Sequence, residues 1–232
     1  MSAPHLWGGF EGGVLLGSTP RAFANQLPFF EWMTHPVTNL HWGLTVTQQQ
    51  ALLEAPCFAD LYRRLHASSP LYHAEPHQSS WMVDKTPAYL FDLPRILDQT
   101  PGLPVVVTVK SRAAQLYSMQ KVVVHQNQQT WTPQHEAYYT QKIMNATQSL
   151  QKAQDKYPHR IHVVQMTEFY RNPHSVMQEV FAFLQLSWQP HYLTLQDFNR
   201  KGHALGRPTV PAFQKAAANG TVSAPKALVR AV

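Results

Sequence analysis

The sequence predicts an α/β fold, a parallel sheet with helices packed on both of its faces. Two observations carry that expectation. Residues 104–110 (PVVVTVK) and 160–166 (RIHVVQM) are short apolar runs rich in β-branched residues, as expected of strands buried on both sides. Helix-forming stretches alternate with these runs along the chain, which is the pattern of a parallel sheet covered by helices. With 232 residues the chain is long enough for one such domain with a core of its own.

Taken in order, residues 8–17 (GGFEGGVLLG) form a glycine-rich opening. Ser18-Thr19-Pro20 reads as a helix start, with Ser18 or Thr19 as N-cap and Pro20 in the first turn. That helix would turn Phe23, Leu27 and Phe30 inward and would bend or end at Pro28. Residues 47–66 read as an amphipathic helix interrupted near Pro56, and 67–80 as a loop. WMVDK (81–85) is a short strand candidate, followed by a helix over 86–99 with Thr86 as N-cap and Pro87 at N1. After the strand at 104–110 come a helix from 111 to about 125, a polar loop (HQNQQTWTP) and a long helix over 133–156. The strand at 160–166 leads through a short turn to a helix over 173–186, with apolar Val176, Val180, Phe183 and Leu184. One domain over residues 1–207 is expected, with 208–232 a flexible C-terminal tail that lacks a core stripe.

The bulk composition narrows the classes of function. A formal charge of +6 suits a phosphate-bearing ligand, an acidic polymer or a membrane surface. No Lys/Arg block and no nucleic-acid-binding motif is present, which disfavours a nucleic-acid partner. Cys57 is the single cysteine, so no internal disulfide forms. No run approaches the roughly 20 apolar residues of a membrane span, and no signal peptide is visible; the expected compartment is the cytoplasm. The histidines show no metal-ligand spacing, so no metal is expected.

Three basic segments bear on chemistry. Lys110 ends an apolar strand, and Ser118 follows eight positions later on the next helix. Ligands of parallel sheets gather at the carboxyl ends of strands, and a cation beside free helix-terminal amides favours phosphate. Arg112 is a second cation nearby. Lys85 likewise follows a strand and precedes a Pro-started helix, where a point charge could act on a transferring anion. Arg200-Lys201-Gly202 could wrap a phosphate, glycine allowing close approach of the backbone. Taken singly, each segment also fits an ordinary surface loop or helix cap.

As an ordered set these segments resemble the sulfotransferases that use 3′-phosphoadenosine-5′-phosphosulfate (PAPS). Lys110 stands where that family places an arginine eight residues before a serine, and Ser118 matches the serine. VDKTPAYLFD is similar to the Lys-Thr/Ser-Pro segment of carbohydrate-type members. VVQMTEFYRNPHSVMQEVFAFLQL is similar to the late strand, glutamate and Asn/Asp-Pro helix, and RKG at 200–202 to the late phosphate loop. The likeness spans about residues 80–207 and implies a P-loop-like, sulfotransferase-like fold. It implies a co-substrate, PAPS, no metal, and an unidentified acceptor that is a glycan, lipid or small metabolite. Lys110, Ser118, Arg200, Lys201 and Gly202 would hold the 3′-phosphate, Lys85 would face the sulfonate, and Glu11 would be the general base, with His73, His77 and Asp84 as rivals. The family's N-terminal Pro-Lys/Arg-Ser-Gly-Thr loop, which cradles the 5′-phosphosulfate, has no counterpart here. LGSTPRAF (16–23) has related residues in another order. The expectation is therefore either an N-terminally short sulfotransferase or a degenerate, non-catalytic binding protein. A P-loop nucleotide kinase is disfavoured, because no Gly-x-x-x-x-Gly-Lys-Ser/Thr loop is present.

Overall fold

The computed structural model describes residues 6–7, 11–35, 42–70, 81–193 and 227–229. Its strands are β1 (Leu6–Trp7), β2 (Trp81–Met82), β3 (Val105–Val109), β4 (Ile161–Gln165) and β5 (Ala227–Val229). β1 and β2 pair in parallel, Leu6 opposite Trp81. β3 and β4 pair in parallel from Val105 opposite Ile161 to Val109 opposite Gln165. β5 lies antiparallel on the other side of β3, with Val105 opposite Val229. The parallel β3–β4 ladder is the one the two β-branched runs predict. Within the expected tail, Ala227–Val229 form β5, and the remainder of 208–232 lies outside the described residues.

Alternation along the strands divides the core in two. Val105, Val107 and Ile161 join the larger cluster with Leu15, Phe23, Leu61, Leu65, Ile96 and Leu97. Val106 and Val164 join a second cluster with Val176, Val180, Phe181 and Leu184. β2 divides in the same way, Met82 into the first and Trp81 into the second. Each fully buried aliphatic side chain contributes about 1.5–3 kcal/mol relative to exposure. The sheet layer is thus held from both sides, as the uninterrupted apolar runs require.

The helices that cover it are α1 (Phe29–Trp32), α2 (Val46–Leu53), α3 (Phe58–Ser68), α4 (Leu93–Gln99), α5 (Arg112–Lys121), α6 (Pro133–Lys156), α7 (Met166–Arg171) and α8 (Pro173–Phe183). α2 starts with a reciprocal cap: the Thr45 hydroxyl accepts from the Gln48 amide, and the Gln48 side chain accepts from the Thr45 amide. α3 buries Phe58, Leu61, Tyr62 and Leu65, one stripe at helical spacing. α6 begins at Pro133 with Thr132 and His135 capping each other, and buries Ala146, Ser149, Leu150 and Ala153 in its second half. The Ser149 hydroxyl accepts from the Leu93 amide at 3.1 Å, fixing the start of α4. At the other end of α4, Arg160 donates to the Leu97 carbonyl in the last turn and to the Thr100 and Leu103 carbonyls of the turn that follows.

Three expected elements differ. The helix expected from Pro20 is a 3₁₀ segment, Arg21–Asn25, followed by the separate α1; Thr19 caps it by accepting from the Ala22 amide at 3.1 Å. Phe23 is fully buried as expected, whereas Leu27 is 61% exposed, because Pro28 has no N–H and stops the helical phase that would have turned Leu27 inward. Residues 86–99 are also two pieces, a 3₁₀ segment Pro87–Asp92 and then α4. Pro94 cannot donate to the Leu90 carbonyl, so one continuous helix is ruled out. The short turn expected after β4 is the helix α7.

Candidate active site

Lys110 follows the last residue of β3, and α5 begins two positions later with Ser111 as N-cap, its hydroxyl accepting from the Ala114 amide at 3.3 Å. The Ser118 side chain, most of two turns along α5, points back to the strand end, where the Lys110 Nζ donates to the Ser118 Oγ at 3.2 Å. The two residues singled out for their spacing therefore meet. Lys110 is only 9% exposed, and burial lowers its pKa from the usual lysine value to about 8. Among the described residues no carboxylate lies within ion-pair distance of it. Among the described residues no ion pair offsets the desolvation of this ammonium, which is what lowers its pKa.

Lys85 and Glu11 come from segments 74 positions apart and form an ion pair, Nζ donating to Oε1 at 2.6 Å, with both side chains 22% exposed. Both had been singled out for chemistry, and the fold brings them into contact. The contact follows from the pairing of β1 with β2, because Glu11 lies just beyond β1 and Lys85 just beyond β2.

Next to this pair lies a network of which the sequence singled out Asp84, as a rival base, and Thr86, as an N-cap, but not their partners. Asp84 is 1% exposed. Its Oδ1 accepts from the Gly12 amide at 3.1 Å and from the Thr86 hydroxyl at 2.9 Å. Its Oδ2 accepts from the Tyr62 hydroxyl at 2.7 Å and the Tyr89 hydroxyl at 2.5 Å. The Thr86 oxygen in turn accepts from the Gly13 amide at 2.9 Å, and the Tyr89 oxygen from the Leu15 amide at 3.2 Å. Desolvation raises the Asp84 pKa, opposed by these hydrogen bonds, and the same burial lifts both tyrosines well above the ordinary phenol range. Thr86, expected as a helix N-cap, makes no cap bond and serves this network instead. With both oxygens engaged by donors, Asp84 is not placed as a general base. Tyr62 and Tyr89 carry no motif, and no spacing rule links residue 62 to residue 84.

A strand, β1, stands before the glycine-rich opening, and two described amides of that opening, Gly12 and Gly13, are taken by Asp84 and Thr86. The carbonyls just beyond, of Leu15, Leu16 and Gly17, are held by the Arg95 guanidinium of α4. Arg112 turns toward α6, its Nη2 at 3.5 Å from the Thr140 hydroxyl. Just before α6, within the expected 125–135 loop whose ends are helical, Trp131 stacks on His135 and Tyr139 of α6, each at 5.7 Å between centroids. Arg200, Lys201, Gly202, His73 and His77 lie outside the described residues. Among the described residues no three His, Cys, Asp or Glu side chains group as metal ligands, and no helix is long and apolar enough to cross a membrane.

A family model described as "Sulfotransferase family" matches residues 17–190. Among solved structures, the sulfotransferase domain from the curacin biosynthetic pathway superposes with a TM-score of 0.57 at 17% identity, covering 83% of this chain and 69% of that one. At that identity the likeness speaks for the fold. A comparison with curated proteins gives no match. The family match takes in most of the chain, including Lys85, Lys110 and Ser118, and the chain belongs to the sulfotransferase family.

Proposed function

We propose that the protein transfers a sulfonate group from PAPS to a hydroxyl or amine of an acceptor. The observation that carries this reading is the Lys110–Ser118 pair, a buried ammonium donating to a hydroxyl at a strand end, the ammonium having no carboxylate within ion-pair distance among the described residues. Those two groups fit the 3′-phosphate of such a nucleotide, with Arg200, Lys201 and Gly202 closing on the same phosphate. PAPS, when bound, supplies an activated sulfonate on a phosphate leaving group. Lys85 offers a point charge to the negative charge that develops on departure. Glu11, whose Oε1 is engaged by Lys85, takes the acceptor proton as general base. The glycan, lipid or small-metabolite class of the acceptor is set by loops such as 125–135.

A second reading, a degenerate, non-catalytic sulfotransferase-like binding protein, has one observation in its favour: the described amides of the glycine-rich opening already donate to internal acceptors. Turnover of PAPS decides between the two readings.

Calorimetry with adenosine 3′,5′-bisphosphate tests the nucleotide reading. Lys110→Ala is expected to weaken binding roughly 10- to 100-fold, the worth of one hydrogen bond to a charged group, about 1.5–3 kcal/mol. Equal affinity in wild type and variant removes Lys110 from the site.

The lowered Lys110 pKa gives a pH signature with a defined sign. Anion binding needs the charged ammonium, and in the free protein that charge is lost as pH rises through about 8. Affinity is therefore expected to fall between pH 7 and pH 9.5 with uptake of a proton on binding, seen as a buffer-dependent binding enthalpy. Lys110→Arg keeps its charge over this range and flattens the profile. A wild-type affinity that does not change over this range contradicts the assignment.

A further inference from the structure

The hydrogen bonds around Asp84 run toward its carboxyl group. A backbone amide can only donate, so Gly12 donates to Oδ1. The Thr86 oxygen accepts from the Gly13 amide, which leaves its own proton for Oδ1. The Tyr89 oxygen accepts from the Leu15 amide, which leaves its proton for Oδ2. Tyr62 donates to the same Oδ2. Four polar groups converge on one side chain, an arrangement that favours its ionised form, which accepts at both oxygens. Through it, directly or by one hydroxyl, the amides of Gly12, Gly13 and Leu15 are anchored to a single charge. The fit is close: a Cβ on Gly12 would lie 2.7 Å from Asp84 Oδ2.

Asp84 is also the neighbour of Lys85, as Gly12 is of Glu11. The ion pair thus sits directly beside the point where Asp84 ties the two segments together. We propose that Asp84 is the positioning residue of this site: its carboxylate ties the Gly12–Gly13 turn to the 84–86 segment and so sets the Glu11–Lys85 pair in place. The inference deepens the functional reading above and rests on it for the roles of Glu11 and Lys85. A loop bound by an internal anion is set before any ligand arrives, which removes an ordering cost from binding.

The groups facing Asp84 are Tyr62 from α3, Thr86 and Tyr89 from the segment after β2, and the Gly12 amide, with Glu11 and Lys85 flanking them. The test uses the full chain labelled with ¹⁵N-glycine, whose 10 glycines make a spectrum simple enough to assign by substitution. In the wild type the Gly12 amide resonance is expected to titrate with Asp84, at a pH above the ordinary aspartate range because burial raises its pKa, while Gly102 in its exposed turn stays still. Tyr62→Phe removes one donor to the ionised form and is expected to move that titration upward; this variant retains the carboxylate and serves where Asp84→Asn does not fold. Asp84→Asn abolishes the titration. It also raises acetylation of Lys85 by about tenfold relative to wild type, through local opening, with Lys110 unchanged as the control for global loosening.

A Gly12 resonance that does not titrate in wild type or Tyr62→Phe overturns the proposal, as does wild-type acetylation of Lys85 in a folded Asp84→Asn. Binding of adenosine 3′,5′-bisphosphate, measured on the same wild-type sample, separates the two claims. Absent binding overturns the nucleotide reading, whereas the glycine and lysine readouts report on Asp84 alone.

Discussion

Lys85→Ala is expected to lower sulfonate turnover roughly 100- to 1,000-fold, the scale seen when one preorganised donor to developing charge is removed. Affinity for adenosine 3′,5′-bisphosphate should stay within about threefold, because the group that Lys85 stabilises forms during the reaction and the product lacks the sulfonate. The measurement is single-turnover release of adenosine 3′,5′-bisphosphate from PAPS, with calorimetry on the same variant. The Glu11–Lys85 contact of 2.6 Å makes a further point testable. Glu11→Gln should also reduce turnover, and the double variant should lose much less than the product of the two single losses, since residues that act as a unit are not additive. Lys85→Ala with full turnover removes the lysine from the chemistry.

The second large effect concerns the backbone beside that pair. Gly13 has a φ of 64°, and a Cβ placed there would lie 2.2 Å from Phe29 Cγ. Gly13→Ala therefore combines left-handed strain, about 1–3 kcal/mol for a residue with a side chain, with displacement of a ring packed against the core. A total near 3 kcal/mol is expected, lowering Tm by roughly 6–12 °C for a chain of this size. The Gly13 amide bond to Thr86 would be disturbed as well, so turnover should fall more than nucleotide affinity. A Tm within about 2 °C of wild type, at most about 1 kcal/mol, contradicts the account of this turn.

What the sequence disclosed and what it hid have physical reasons. β3 and β4 were legible because strands buried on both faces favour β-branched runs, and α6 because Pro133 and its cap mark a sharp start. The Lys110–Ser118 contact was legible because a strand end and the helix that follows it form a local unit with fixed reach. Glu11 and Lys85 were each picked out, but their contact depends on the β1–β2 pairing, and two-residue strands leave almost no periodicity to read. Asp84, Tyr62 and Tyr89 were the hardest. Their network joins α3, the end of β2 and the glycine-rich turn, and burial of an acid among tyrosines is a property of packing. Leu27 and the split of 86–99 were misread because Pro28 and Pro94 act on the phase of a helix, which overrides the propensity of the residues around them.

The central claim is that basic segments far apart in the chain converge on one phosphate. A crystal structure of the full chain with adenosine 3′,5′-bisphosphate tests it most directly. The account predicts the 3′-phosphate within hydrogen-bond distance of Lys110 Nζ and Ser118 Oγ, with the Arg200 guanidinium on the same phosphate. A nucleotide bound elsewhere, or Lys110 and Arg200 directed to opposite sides of the molecule, contradicts it.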